Sequence, residues 1–307
     1  MFQHFFNTYS ISPENTLIIA CSGGPDSMYL LSEMMKFHGK NHLVVAHFNH
    51  AIRGAESDAD ADFLRGFCAS NGLIFVTEKK DIPGMALVSK KWIEETARIE
   101  RYTFLESIRE KYSAKHILTA HHLDDSIETL MFNLIRWAKI HGLTGIPEQN
   151  GSTLRPLLHL QKSEILRQLA ENGTPYRLDS TNTDDTYLRN HLRLNIIAEF
   201  ERINPEYRKN LASFMNYSKE LTEFIDSQVT IFLRGESSFG VEDFHILSPF
   251  LQREVIRYLY EGANHGTIGL SEGAIAEAIR FTGDKGNYTK KELSKLLLTK
   301  KNGRVYF

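Results

Sequence analysis

The chain has 307 residues, with 36 Lys and Arg against 38 Asp and Glu, a formal net charge of −2. An apolar share of 42% and a charged share of 24% match soluble globular proteins and exclude collagen-like, disordered and disulfide-rich chains. The longest apolar runs, such as Leu17 to Cys21, fall far short of the ~20 residues that span a bilayer. The opening Met1-Phe2-Gln3-His4-Phe5-Phe6 lacks a basic stretch and a long apolar one, so neither a signal peptide nor a membrane contact is expected. Two cysteines, Cys21 and Cys68, with no CxxC, argue against a zinc ribbon or an iron–sulfur site and for a reducing, cytoplasmic location.

In chain order, Thr16 to Cys21 is a continuous apolar run, as expected of a strand buried on both faces. Ser27 to Phe37 follows with helical spacing. His42 to Phe48 reads as a second strand, Ala59 to Asn71 as a helix stopped at Asn71-Gly72, and Leu73 to Glu78 as a third strand. Lys90 to Tyr112 is a long helix, Lys115 to Ala120 a fourth strand and Leu123 to Ala138 the next helix. Four strand–helix units in succession predict an α/β fold, a doubly wound parallel sheet with helices on both faces. The stretch from His141 to Pro156 reads as a loop, Lys162 to Asn172 as a helix, and Asp179 to Asp185 as a polar loop. Residues 187–234 are helical with a break near Asn204-Pro205, and helices over 249–261 and 271–281 precede a basic end. Two domains are expected, residues 1–186 holding the sheet and 187–307 forming a mostly helical second domain.

The turn Ser22-Gly23-Gly24-Pro25-Asp26-Ser27 hands the first strand to the first helix, at the strand end where open parallel sheets bind ligands. Gly23 and Gly24 permit positive φ and close backbone approach. Ser22 and Ser27 add hydroxyls, and the helix N-terminus favours an anion. This makes a cradle suited to pyrophosphate. It is not a Walker A loop, which needs a Lys, and it is not GxGxxG. Asp26 beside phosphates points to Mg²⁺ or to charge coupling.

These residues resemble the SGGxDS signature of the N-type ATP pyrophosphatases, which cleave ATP between the α- and β-phosphates and transfer AMP to an acceptor oxygen. Further stretches narrow the resemblance. His47-Phe48-Asn49-His50-Ala51-Ile52-Arg53-Gly54-Ala55-Glu56-Ser57-Asp58-Ala59-Asp60 is similar to the HxNHxLRGxESDxD pattern of the tRNA(Ile)-lysidine synthetase family. Here Ser57 is expected to cap a helix, with Asp58 and Asp60 in its first turn. Glu94-Glu95-Thr96-Ala97-Arg98, followed by Arg101-Tyr102, resembles that family's EExAR and RY helix; Arg98 and Arg101 share a face. His121-His122-Leu123-Asp124-Asp125-Ser126-Ile127-Glu128-Thr129 resembles HHxDDxxET, with Asp125 and Glu128 facing one way. A transition-metal site at HHxDD is the alternative there, but a fourth ligand at standard spacing is missing. Arg155-Pro156-Leu157-Leu158, Asp179-Ser180-Thr181-Asn182 and Arg189-Asn190-His191-Leu192-Arg193 follow in the family's order. Longer family members carry a further C-terminal domain, which a chain ending at Phe307 is expected to lack.

The resemblance implies an ATP-dependent ligase that adenylates the C2 oxygen of the wobble cytidine of an isoleucine tRNA with a CAU anticodon. The ε-amine of free L-lysine then displaces AMP to give lysidine. Carried over by motif, Ser22, Gly23, Gly24, Asp26, Ser27, His47 and Arg98 would hold ATP. His121, His122, Asp125, Glu128, Arg189 and Arg193 would hold the other substrates. Asp26, Asp125, Glu128 and Arg193 would be catalytic, and Asp26 and Asp125 would hold Mg²⁺. Two alternatives remain open. A tRNA thiolase of the same superfamily usually needs catalytic cysteines, and neither Cys21 nor Cys68 is placed for sulfur transfer; a non-catalytic ATP- or tRNA-binding module would not need acids beside phosphates. The seven basic residues against Glu292 between Lys285 and Arg304 are a candidate polyanion contact. The oligomeric state is not written in the sequence, a homodimer being one option.

Overall fold

The computed structural model describes residues 2–52, 54–136, 139–178, 188–264, 266–267, 269–284 and 289–307, without the side chains of Leu188 and Arg189. Arg53, the segment 179–182, Arg189 as a side chain and Lys285 therefore lie outside the described residues. The described residues pack as two compact units, Met1–Met215 and Asn216–Phe307.

The first unit opens with a short Phe-rich helix, α1 (Phe2–Thr8), and continues through β1 (Leu17–Ala20), α2 (Pro25–Phe37), β2 (Leu43–Asn49), α3 (Ala55–Asn71) and β3 (Ile74–Lys79). Next come α4 (Ile82–Ser89), α5 (Ile93–Lys111), β4 (His116–Leu118) and α6 (Leu123–Ile135). A short hairpin, β5 (Gln149–Asn150) with β6 (Thr153–Leu154), leads to α7 (Lys162–Asn172). The sheet order is β3-β2-β1-β4-β6-β5. All its pairings are parallel except β5 with β6, which bears out the doubly wound α/β expectation. β1 is central, with Ile18 opposite Val44 on one side and Ile117 on the other.

Alternation along β1 splits the core between two faces. Leu17 and Ile19 pack with Met28, Leu31, Leu64 and Cys68 from α2 and α3. Ile18 packs with Val44, Phe104, Leu105 and Ile108, on the face covered by α5. Helices on both faces explain why a continuous apolar run, and not an alternating one, encodes the strand.

Several boundaries differ from expectation for local reasons. The long helix begins at Ile93, because Lys90 takes a left-handed φ of 54° and ends the separate helix α4. Asp81 caps α4 by accepting from the Gly84 backbone N–H at 3.1 Å. The helix expected from Ala59 begins at Ala55, so Gly54 and not Ser57 is its cap residue, and Ser57 is buried within its first turn. The stretch from His141 to Pro156 is not wholly loop, since β6 extends the sheet beside β4.

Beyond α7, α8 (Leu188–His191), a π-helical turn (Leu192–Ile197), α9 (Ala198–Ile203) and the start of α10 (Tyr207–Leu233) still belong to the first unit. The reason is hydrophobic: Leu192, Ile197, Tyr207 and Met215 share a buried cluster with Leu123, Ile127 and Leu130 of α6. The compact unit thus runs to Met215, past the expected boundary near 186.

The second unit is mostly helical, as expected. It takes the rest of α10, then β7 (Ser238–Gly240), α11 (Val241–Ile246), α12 (Pro249–Asn264) and α13 (Glu272–Gly283). Its basic end forms β8 (Lys290–Leu293), β9 (Leu296–Lys301) and β10 (Arg304–Tyr306), in an antiparallel sheet of order β7-β10-β9-β8. Leu293, Leu296, Leu298 and Val305 bury one face of this sheet in a cluster with Val255, Ile275 and Phe281. Asn302 and Gly303, both at positive φ, make the two-residue turn that a right-twisted hairpin requires.

Candidate active site

β1 sends its connection toward β2 and β3, while β4 lies on its other side, so the sheet changes winding direction between β1 and β4. Ligands bind outside the strand carboxyl ends at such a point. A cavity of about 510 Å³ sits there. It is lined by Ser22, Asp26 and Ser27 after β1, by His47 and Asn49 of β2, by Thr119 and His121 after β4, and by Arg101 of α5 and Asp125 of α6.

The glycine-rich turn is held by its own hydroxyls. Ser27 Oγ accepts from the Ser22 backbone N–H at 3.2 Å and donates to the Gly24 carbonyl at 3.0 Å. The Gly24 N–H reaches Ser22 Oγ at 3.3 Å, and the Gly23 carbonyl accepts from the Arg177 N–H at 2.9 Å. Only Gly23 uses positive φ, at 86°. Gly24, at φ −74° and ψ 167°, starts α2 with Pro25 behind it. Pro in the first helical position forfeits an N–H that would be unpaired anyway, and the dipole of a 13-residue helix faces the cavity mouth.

His47 lies beneath this turn. Its Nδ1 is 2.9 Å from the Cys21 carbonyl, which can only accept, so Nδ1 carries the proton. Burial pushes its pKa down, against the raising effects of that carbonyl and of Asp60. Asn49 fixes the loop that follows: its Nδ2 donates to Asp58 Oδ1 at 2.9 Å and its Oδ1 accepts from the Ala51 N–H at 2.9 Å. Asp58 pairs with Lys79, and Asp60 pairs with Arg177 at 2.5 Å. Because the helix starts at Ala55, Asp58 is a first-turn acid as expected, whereas Asp60 lies beyond the first turn and borders the cavity.

Acids gather at the start of α6. His122 Nε2 is 3.6 Å from both Asp26 Oδ1 and Asp125 Oδ2, and its Nδ1 is 3.7 Å from Asp124 Oδ2. Asp125 closes a cap on the His122 N–H at 2.9 Å. Asp26 is paired with Lys162 Nζ at 2.5 Å. Asp124 accepts from the Lys162 backbone N–H and from Arg208 Nε, each at 2.8 Å. Lys162 opens α7 and Arg208 sits on α10; neither belongs to the stretches that marked the site in sequence. The RPLL segment that precedes Lys162 is largely core, with Arg155 buried and its Nη1 donating to the Pro147 carbonyl at 2.6 Å.

Of the expected site residues, Arg98, His122, Glu128 and Arg193 do not line the cavity. Glu128 does not line the cavity beside Asp125: it is 1% exposed and accepts from Arg193 Nε at 2.7 Å. Burial pushes the Arg193 pKa down, but Glu128, Asp125 and Asp26 outweigh that and raise it, so the guanidinium stays charged. Arg98 does not line the cavity either; its guanidinium lies 5.0 Å from the Tyr102 ring centre, while Arg101, one turn further in, reaches the lining. His121 lines the cavity, with Nδ1 2.9 Å from Thr119 Oγ1. Among the described residues, no group of three or more His, Cys, Asp or Glu side chains is arranged to hold a metal ion by itself.

A parallel sheet, a serine-glycine turn at its switch point and convergent aspartates define a nucleotide site, and the comparisons agree. Residues 1–200 match the family model of the PP-loop domain, so the chain is a PP-loop protein. Three curated relatives carry the name tRNA(Ile)-lysidine synthase. That of Chlorobaculum tepidum is 36% identical over 253 residues, 79% of this chain and 76% of the relative. That of Bacteroides thetaiotaomicron is 38% identical, over 68% of this chain and 49% of the relative. That of Bacillus subtilis is 32% identical, over 84% and 59%. The chain belongs to the tRNA(Ile)-lysidine synthase family, although it spans only about half the length of some curated relatives that it matches. Among solved structures, the U34-tRNA thiolase NcsA from Methanococcus maripaludis with its [4Fe-4S] cluster matches with a TM-score of 0.53 at 18% identity, over 68% of this chain and 72% of that one, a likeness of fold.

The Asp124 carboxyl yields a pH prediction. Burial raises its pKa, but Arg208, the Lys162 N–H and His122 outweigh this and hold it below the ordinary range. A carboxyl depressed in the folded state adds stability above its unfolded pKa of about 3.9, and that stability is lost as pH falls through the folded value. Asp124→Asn is expected to cost about 1–2 kcal/mol at neutral pH, with the gap to wild type narrowing below about pH 4. Chemical denaturation at several pH values measures it; a gap independent of pH would remove the ionic role.

Proposed function

We propose that this chain is an ATP-dependent tRNA(Ile)-lysidine synthase that joins free L-lysine to the wobble cytidine of an isoleucine tRNA with a CAU anticodon. The observation that carries the reading is the meeting of the Ser22–Ser27 turn with Asp26 and Asp125 at one cavity. The turn supplies neutral donors for pyrophosphate, and the aspartates supply acids beside it. The cytidine C2 oxygen attacks the α-phosphorus of ATP and pyrophosphate leaves; the lysine ε-amine then attacks C2 and AMP leaves. An ammonium is no nucleophile, so it must lose a proton first, and Asp125, one of the carboxylates on the cavity wall, is assigned to orient it and receive that proton. His121 lines the same cavity, and His122 is buried beside Asp26 and Asp125. Arg193, held by Glu128, and Arg101 face the charge that develops on phosphate oxygens.

Asp26 and Asp125 fit a Mg²⁺ shared with the substrate, since both carboxylates approach one imidazole nitrogen at 3.6 Å and Mg²⁺ is usually held by one or two carboxylates plus phosphates. When bound, it would offset the phosphate charge. The thiolase reading lacks support in the cysteines: Cys21 and Cys68 are both buried, and burial pushes Cys68 up to about 12. The assay that tests the proposal combines labelled lysine, ATP, Mg²⁺ and unmodified isoleucine tRNA with a CAU anticodon. Label that stays out of the RNA would overturn it.

Variants separate the steps. Asp26→Ala is expected to lower AMP formation at least about a hundredfold without unfolding the chain, because Asp26 lies at the cavity and not in the core. Lys162→Gln, which removes the partner of Asp26, is expected to impair the same step. Full AMP production by either variant would sink the assigned role. Asp125→Asn is expected to slow lysine transfer more than adenylation. Glu128→Gln acts through Arg193 and is expected to slow both. Trapping the adenylated RNA and measuring it apart from the product distinguishes the two patterns.

We assign ATP chemistry to the first unit and tRNA backbone contacts to exposed lysines of the second, in the region 187–307. Several basic residues there are already engaged: Lys291 pairs with Glu277 at 2.6 Å, Arg304 pairs with Glu236, and Lys300 donates to the Phe281 carbonyl at 3.2 Å. Lys290, Lys295 and Lys301 remain exposed. Replacing these three with Gln should weaken tRNA binding and reduce the salt slope of log Kd by roughly 0.7–0.9 per lost contact, with ATP affinity unchanged. An unchanged slope would place the RNA surface elsewhere.

A further inference from the structure

The sequence Ile82-Pro-Gly-Met-Ala-Leu-Val-Ser, which forms α4, is apolar all round, and such helices are normally buried. Here only Ile82 and Ala86 are buried, while Leu87 is 82% exposed, Val88 88% and the following Trp92 83%. Every residue from Leu87 to Glu95 is exposed. The elbow between α4 and α5 thus presents a large indole and two aliphatic side chains to solvent, beside Lys90 and Lys91. Isolated exposed apolar residues need no explanation, but a contiguous patch marks an interaction site.

The helix that leads to the elbow, α4, starts beside the cavity. The Ile82 N–H bonds the His50 carbonyl at 3.3 Å, and His50 and Ile52 line the cavity. On α5, Arg98 and Arg101 lie on one face that runs from the elbow inward. From Arg101 to Ile93 is about 12 Å at 1.5 Å per residue, a span of about three or four stacked nucleotides at ~3.4 Å each. An exposed aromatic ring, preceded by Lys90 and Lys91 and followed, past Glu94 and Glu95, by Arg98 and Arg101, combines a stacking surface with cations for phosphates; Lys91 lies 4.0 Å from Glu95.

We propose that the elbow is a platform for single-stranded RNA: Trp92 stacks on an unpaired base that flanks the target nucleotide, and Lys90, Lys91 and Arg98 meet the adjoining phosphates. The proposal rests on the tRNA reading above and adds the surface that splays the loop.

The chain has two tryptophans, Trp92 and Trp137, so Trp137→Phe leaves Trp92 as the only indole emitter. The probe is a short RNA stem–loop with a CAU loop; the control is the same stem closed as an uninterrupted duplex. Binding is followed separately by the anisotropy of labelled RNA. The stem–loop is expected to quench Trp92 emission at saturation, and the duplex to leave it unchanged. In the otherwise native chain, Trp92→Ala is expected to lose about tenfold in affinity for the stem–loop, Trp92→Phe to recover most of it, and ATP affinity to stay constant in both. Stem–loop binding with unchanged emission and unchanged affinity in Trp92→Ala would overturn the platform and leave the enzyme assignment standing. No binding of tRNA or stem–loop would overturn both. Concentration-dependent self-association that Leu87→Ser abolishes would give the patch to a second copy and overturn the proposal.

Discussion

Carboxylates crowded at one end of a parallel sheet repel each other, and this repulsion is the constraint that shapes the first unit. Asp26, Asp124 and Asp125 all come within 3.7 Å of the His122 ring nitrogens, and Glu128 follows one turn along α6. Ionised groups this close, partly removed from water, are tolerated only when paired. The pairs are Lys162 with Asp26, Arg208 with Asp124 and Arg193 with Glu128. All three cations come from residues 162–208, which explains why the compact unit does not end where the sheet does. The apolar cluster of Leu192, Ile197, Tyr207 and Met215 against α6 sets the helices that deliver Arg193 and Arg208, so packing and electrostatics require the same segment.

Much of this was legible in the sequence for identifiable reasons. A strand buried on both faces has to be a continuous apolar run, and Leu17–Ala20 is one. The turn Ser22–Ser27 was readable because few purposes other than anion binding place two glycines, two serines and an acid between a buried strand and a helix. The cations were harder. Lys162 lies 136 residues from Asp26, and a salt bridge between distant residues leaves no local periodicity. Glu128 and Asp125 do lie on neighbouring turns of one helix, but which carboxylate meets the cavity depends on Arg193, again remote. Arg98 and Arg101 share a helical face, and only the depth of α5 against the sheet decides that Arg101 reaches the lining.

The basic end shows a different failure. Its lysines read as charge, while the strands are marked by the Asn302-Gly303 pair, a strong hairpin signal, and by the alternation of Leu296 and Leu298. Once the strands form, the lysines separate into classes by face. Lys291 and Lys300 are drawn to α13, where Lys300 bonds carbonyls at the helix carboxyl end, a favourable place for a cation. Lys290 and Lys301 stay in solvent. A net charge over a segment therefore overstates the charge available to a partner.

The charge balance at α6 bears on the order of binding. Four carboxylates, Asp26, Asp124, Asp125 and Glu128, face three paired cations, Lys162, Arg193 and Arg208. Setting His122 aside, the cluster carries one excess negative charge, and of the two members on the cavity wall, Asp26 and Asp125, Asp125 is the one without one of those cations. Such a site attracts a cation and resists a bare polyphosphate. Nucleotide entry then requires positive charge to come with it or to be released within the site. On the proposed reading Lys162 suits the second role, since its Nζ is paired with Asp26 at the turn assigned to pyrophosphate. On the same reading, the excess charge suits a substrate ammonium once pyrophosphate has left. One cluster can therefore serve an anionic reactant first and a cationic one second, with the helix dipole and Arg101 on the side of the first and Asp125 on the side of the second.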